Sequence, residues 1–150
     1  MARREDLYIQ YERFKVRYLR IQRIYDSILS EKEEMFTRTQ PKAITYDGDK
    51  VDVSHSGDAL ERYMEDLERS RISERLKAVK SILSDRGDLL RLKEEELRQS
   101  KTLNDKIYRM RYLEHRKIQN IAKVIGYSES QVYRLLQSID ERCEKMRKNL

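Results

Sequence analysis

The sequence predicts an all-α protein, with a long N-terminal helical hairpin, antiparallel and coiled-coil-like, followed by a C-terminal helix-turn-helix domain. Three observations predict it. Apolar residues recur at spacings of three and four through most of the chain. The 150 residues include only four Gly and one Pro, so little interrupts helix. The stretch KIQNIAKVIGYSESQVYRLLQS, residues 117–138, carries the spacing of two short helices joined by a tight turn.

Residues 5–39 contain neither Gly nor Pro. Leu7, Tyr11, Phe14, Tyr18, Ile21, Tyr25, Ile28, Lys32 and Met35 form a heptad stripe on one helix. Tyr dominates one seam position, and its bulk and hydroxyl suit a tight two-stranded zipper poorly. The stripe is therefore expected to pack against another helix of the same chain, with a homodimer through the long helices as the next choice. Such a stripe is read as core and not as a platform for stacking bases.

Residues 40–57 break the pattern. They hold the only Pro, two glycines, and Asp47, Asp49 and Asp52. Ile44-Thr45-Tyr46 and Val51-Asp52-Val53 around Asp47-Gly48 would suit a small β-hairpin, and a flexible loop fits equally. A calcium loop does not fit, because Val51 stands where a ligand is needed, Asp52 replaces the turn glycine and the closing Glu is missing. His55 has no Cys or second His nearby for zinc. The segment reads as a connection. From Ser56 or Asp58 a second helix is expected, with Leu60, Met64 and Leu67 in one run, Leu76, Val79 and Leu83 in another, and Ile72 shifting the phase. Residues 58–84 would thus run back along residues 5–39. Ser84–Asp88, which includes Gly87, reads as a break or kink. Leu89, Leu90, Leu92 and Leu97 continue the helix, with Glu94-Glu95-Glu96 as a solvated face. The expected domains are residues 1–100, a hairpin with loop 40–57, and residues 101–150.

The second domain begins with a helix from Leu103 to Glu114, capped by Thr102 or Asn104, turning Leu103, Ile107, Met110 and Leu113 inward. His115-Arg116 connects it to the motif. Ile118–Ile125 is the first motif helix, Gly126-Tyr127-Ser128 the turn, and Glu129 opens the second helix. Ala122 is small enough for close approach of the helices, and Gly126 can adopt the positive φ that ends the first. Ile121, Ile125, Tyr127, Val132 and Leu135 are expected to fill the wedge. Ser128 and Gln131 form an S-x-x-Q capping box, which fixes where the second helix starts.

The exposed positions of that helix carry the functional reading. Ser130, Gln131, Tyr133, Arg134 and Gln137 are candidates for reading base edges, because Gln and Arg make bidentate contacts with adenine and guanine. Arg116, Lys117, Lys123 and Ser128 are candidates for phosphate. A plain helical corner would explain the apolar seam equally, but its wet face would more often hold Lys and Glu. Residues 103–150 carry 11 basic and 6 acidic side chains, so most of the net charge of +6 lies where phosphate would be met. The second helix continues through Leu136, Ile139, Cys143, Met146 and Leu150, and its lower half needs a covering surface, from the hairpin or a second subunit.

The segment IYRMRYLEHRKIQNIAKVIGYSESQVYRLLQSI resembles region four of bacterial sigma factors. Arg111-Tyr112-Leu113-Glu114, Ile121-Ala122, Gly126-Tyr127-Ser128 and Val132-Tyr133-Arg134 carry the likeness, over the last third of the chain. The whole pattern, including the AITYDGDKVDVSHSGDALERY stretch, resembles phage and prophage transcription regulators of the RinA/ArpU-like type. That resemblance implies a sigma-region-four-like domain binding double-stranded promoter DNA, with host RNA polymerase as partner and phage late genes as targets. No segment matches the sigma region that melts promoters, so an autonomous sigma factor is not expected. The alternative is a helical interaction module that docks on polymerase or another phage protein without reading DNA.

An enzyme is not expected. Two His and one Cys leave few ways to build a nucleophilic site, and there is no Gly-rich phosphate loop. No cofactor or metal is implied. Cys143 sits on an apolar stripe and reads as a buried thiol. No apolar run is long enough to span a membrane and no signal peptide is evident, so a cytoplasmic, nucleoid-associated protein is expected.

Overall fold

The computed structural model describes residues 4–39 and 55–150, and these are helical with no strand among them. Helix α1 runs Leu7–Thr39, α2 His55–Gln99, α3 Leu103–Tyr108, α4 Ile118–Ile125 and α5 Glu129–Lys148. A wide π-turn, Arg109–Leu113, extends α3. The expected all-α class with two long N-terminal helices is observed. The hairpin-or-loop alternative for residues 44–53 and the spaced aspartates fall outside the described residues. The second helix starts at His55, so the end of the expected 40–57 connection is helical.

By contacts the chain forms two units, Met1–Arg20 with Ser84–Leu150, and Ile21–Leu83. This partition differs from a boundary at residue 100, because the first unit takes in both the start of α1 and the end of α2. Its core comprises Tyr8, Tyr11, Leu97, Ile107, Tyr108, Met110, Ile121, Ala122, Val132, Leu136, Ile139 and Cys143, drawn from each of the five described α-helices and the π-turn. Within this unit Lys93 on α2 reaches the Gln10 side chain at 3.0 Å and lies over the Phe14 ring, while Gly87 faces Tyr18. Numbers fall on α2 as they rise on α1, so the two segments are antiparallel. Of the break or kink expected at Ser84–Asp88, the break does not occur, since α2 passes through it unbroken. A glycine costs a helix interior only about 1 kcal/mol, and tertiary contacts outweigh that here.

In the second unit, Arg75 pairs with Glu31 at 3.2 Å, and Lys32, Met35 and Phe36 share a small pocket with Arg69, Ile72 and Ser73. The segments are again antiparallel. Ile28 and Ile72 are its buried apolar residues among those described. Two of the expected inward residues differ. Leu60 and Met64 are 63% and 57% exposed, as is Tyr63 at 64%. At about 100° per residue, Tyr63 falls opposite the buried Ile72, with Leu60 and Met64 turned well away from it. The phase shift at Ile72 is thus a change of face. Leu89 and Leu92 in the first unit are also exposed, leaving Leu90 and Leu97 to face its core.

Two buried carboxylates tie α1 to the C-terminal helices. Asp105 accepts the backbone N–H of Tyr8 at 3.1 Å, and the hydroxyls of Ser100 at 2.6 Å and Thr102 at 2.5 Å. The Tyr8 amide lies in the first turn of α1 and would otherwise lack a partner, so a side chain 97 positions away completes that helix end. Thr102 stands at the N-cap of α3 but gives its hydroxyl to Asp105, not to the helix backbone. Glu12, 5% exposed, accepts the Tyr108 hydroxyl and an Arg147 N–H at 2.9 Å. Tyr8 stacks on Tyr108 and Tyr11 meets it edge-on. Tyr8, beside the expected stripe, and Tyr108 thus find their hydroxyl partners inside the chain, and Tyr11 of the stripe packs with them. The lower half of α5 finds its cover in the same place, with Arg142 bonding Asp6 and the Tyr8 hydroxyl.

Candidate nucleic-acid interface

The helix-turn-helix pair is built largely as its spacing requires. The apolar stripe of α4 puts Ile121 and Ala122 against Val132 and Leu136 of α5, all four buried. Gly126 adopts φ 82° and ψ 23°, the left-handed conformation that closes α4. The amides of Gly126 and Tyr127 both donate to the Ala122 carbonyl, at 2.9 and 3.2 Å. A Cβ at Gly126 would meet nothing within 4 Å, so the demand for glycine there comes from the backbone and not from crowding. One wedge position differs from expectation. Tyr127 is 41% exposed, because the left-handed turn carries the chain outward before α5 begins.

The capping box is present in both directions. The Gln131 amide donates to Ser128 Oγ at 3.3 Å, and the Ser128 amide donates to Gln131 Oε1 at 3.1 Å. This pins the start of α5, and it also engages two residues expected to meet DNA. Ser128 Oγ and Gln131 Oε1 each have one acceptor direction used within the protein, while the Gln131 amide group stays free to donate.

Ser130, Gln131, Tyr133, Arg134 and Gln137 are all exposed. Arg134 makes no ion pair or hydrogen bond through its side chain among the described residues. An open groove beside this face is lined by Lys117, Ile118, Ser130, Tyr133, Arg134 and, from the π-turn, Arg111. Glu129 is its one acidic lining residue among those described, so the groove wall carries an excess of positive charge. Arg111 is not among the phosphate candidates read from the sequence, where it enters only within the Arg111-Tyr112-Leu113-Glu114 likeness, since an arginine in a helix followed by a turn has no periodicity of its own. The π-turn, closed by the Glu114 amide on the Arg109 carbonyl at 2.9 Å, replaces the regular helix expected to Glu114 and adds a residue to that turn. Arg111 Nη1 donates to the Arg116 carbonyl, bracing the connection to α4. His115 in that connection has φ 52°, tolerable for His but costly for most side chains.

The four candidate phosphate ligands divide. Lys117 is exposed, unpaired among the described residues, and on the groove. Lys123 is exposed and unpaired among the described residues, on the outer face of α4 and outside the groove lining. Arg116 is half-buried and held by Glu114 at 2.7 Å, so its charge is largely met within the protein. Ser128 serves the helix cap.

Below this face α5 changes character. Tyr112 donates its hydroxyl to Asp140, and burial and then that carboxylate push its phenol well above the ordinary tyrosine value. Tyr108 is pushed up more strongly, by burial and then by Glu12. Cys143 is buried and its thiol is raised to about 11, chiefly by desolvation, which makes it an unreactive packing residue as expected. No cluster of His, Cys, Asp or Glu suited to a metal occurs among the described residues, and no described helix is long and apolar enough to cross a membrane. Comparison of the chain with family models, curated proteins and solved structures finds no match.

Proposed function

We propose that the chain is a non-enzymatic, sequence-specific DNA-binding regulator of transcription whose reader is the first half of α5. The observation that carries the reading is the exposed row Ser130, Tyr133, Arg134 and Gln137, on a helix whose start is fixed by a capping box and whose flank is basic. A recognition helix enters the major groove with its N-terminal residues against base edges, and that is the half left free here. Arg134 would make the bidentate guanine contact, Gln137 and Ser130 would add hydrogen bonds, and the Tyr133 ring would meet a thymine methyl. Lys117 and Arg111 would hold phosphates on one side, with Lys123 reaching along the backbone. The likeness of residues 107–139 to sigma region four supports placing this contact at promoter DNA beside host RNA polymerase, with phage late genes as targets.

The test is fluorescence anisotropy on a duplex selected from a random library, at several salt concentrations. Arg134→Ala should weaken binding by about 1–3 kcal/mol and relax preference at one base pair. Lys117→Ala should weaken binding to all sequences and reduce the salt slope by about one unit. Unchanged affinity for the selected duplex in Arg134→Ala would remove α5 as the reader. A second reading, an interaction module docking on polymerase or another phage protein, draws support from the exposed Val124 and Tyr127, which lie outside the base-reading row. Its signature is recovery of polymerase by the purified chain with no salt-dependent duplex binding.

A further inference from the structure

A second groove lies in the first unit, away from the residues proposed to read bases. It has a volume of about 460 Å³ and lies between α3 with its π-turn and the end of α4. Lys101, Lys106 and Arg109 line it, together with Val124 and Tyr127, which are 54% and 41% exposed. No acidic side chain lines it among the described residues. Arg109 is held by the Arg98 carbonyl and pairs with Glu114 at 3.9 Å, but Lys101 and Lys106 have no side-chain partner among the described residues. Duplex backbone would meet the lysines but would leave Val124 and Tyr127 without an apolar contact. The occupant that satisfies both is an acidic helix carrying an apolar ridge.

The chain displays such a helix. On α2, Leu60, Tyr63 and Met64 stand at the i, i+3, i+4 spacing of one face, each more than half exposed. Glu61 and Glu68 lie three and four residues from Met64, and Asp66 lies three from Tyr63. Glu61, Glu65, Asp66 and Glu68 are exposed and make no ion pair among the described residues. Residues 58–68 hold five acidic side chains and one Arg, in a chain whose net charge is +6. A contiguous exposed apolar ridge rimmed by polar side chains marks a contact site.

We infer that this groove receives the Leu60–Glu68 segment of α2 from a second copy of the chain, so that self-association is built on unlike patches and not on a like-to-like zipper. Contacts between unlike patches either close into a ring or dimer or continue into a filament. The charges select the partner, because like-charge juxtaposition at a contact is strongly unfavourable. The inference stands apart from DNA reading, since neither patch includes Ser130, Arg134 or Lys117.

Charge exchange on the full chain tests it. Sedimentation velocity from low to high micromolar concentration should show reversible self-association of the unaltered protein. Lys101→Glu with Lys106→Glu should weaken it at least about tenfold, and so should Glu61→Lys with Glu68→Lys on the other patch. Combining the four should restore it, with far-UV circular dichroism confirming that every variant keeps its helix content. A chain that stays monomeric throughout the range overturns the inference. So do groove variants that associate normally, or a fourfold exchange that fails to restore. Loss of duplex affinity in the groove variants without a change in association would assign the groove to phosphate instead.

Discussion

The two halves of α5 are one continuous helix with opposite employment. From Glu129 to Gln137 the outer side chains are polar, exposed and in the main unpaired, and only the inner row of Val132 and Leu136 is buried. From Ile139 to Met146 the inner row continues with Cys143, while the flanks are clasped. Asp140 takes the Tyr112 hydroxyl, Arg142 reaches Asp6 and Tyr8, and Arg147 reaches Glu12. A helix can present one half to a ligand only if the other half fixes its direction. Here the direction is fixed from the far end of the chain, by the first turns of α1.

This contrast gives a graded set of expectations. The largest effect falls on the clasped half. Glu12→Ala leaves the Tyr108 hydroxyl buried without its acceptor and releases Arg147, so a loss of about 3 kcal/mol is expected in urea denaturation. Asp105→Ala should cost about 2–3 kcal/mol, because three donors and the first turn of α1 lose their acceptor together. A loss under about 0.5 kcal/mol in both, the range of ordinary surface changes, would show that the start of α1 is not what holds α5.

Gly126→Ala should cost about 1–2 kcal/mol from the left-handed backbone alone, since space for the methyl is free. A larger loss would mean that the turn is packed more tightly than its surroundings show. Gly87→Ala tests the opposite case, a glycine inside a regular helix with ordinary contact distance to Tyr18. It should stabilise the fold by about 0.5–1 kcal/mol.

Alkaline pH discriminates the halves without mutation. Tyr108 and Tyr112 have raised values in the folded protein, so their contribution is fully present below the unfolded value near 10 and is lost as pH rises beyond it. Melting temperature should therefore fall above about pH 10, with tyrosinate absorbance appearing as the protein unfolds. A Tyr108→Phe variant should lose part of that dependence. Its retention in full would assign the pH effect elsewhere.

How much of this was legible in the residues depends on the range of each interaction. The heptad tyrosines and isoleucines of α1, the closing glycine at 126, the Ser128–Gln131 cap and the buried row through Cys143 are local patterns, set by helix period and by backbone conformation. They appear in the structure where the spacing put them, except that the buried Tyr8 and Glu12 of α1 lie outside its stripe and Lys32 within it is exposed. The exposed row of Ser130, Gln131, Tyr133, Arg134 and Gln137 follows from the same period. The π-turn was not legible, because one extra residue in a turn leaves the spacing of Ile107, Met110 and Leu113 unchanged. Nor was the unbroken course of α2 through Gly87, where the local cost of glycine is smaller than the packing that overrides it.

The sequence alone determined that the chain is helical, where its helix-turn-helix pair begins and ends, and which side chains of the second helix point outward. Tertiary structure decided what holds that helix in place. Asp105 and Glu12 are ordinary acidic residues in a charged sequence until partners 97 and 96 positions away in the chain surround them. A carboxylate's worth depends on burial and on the donors it meets, and those are properties of the folded chain that no local spacing encodes.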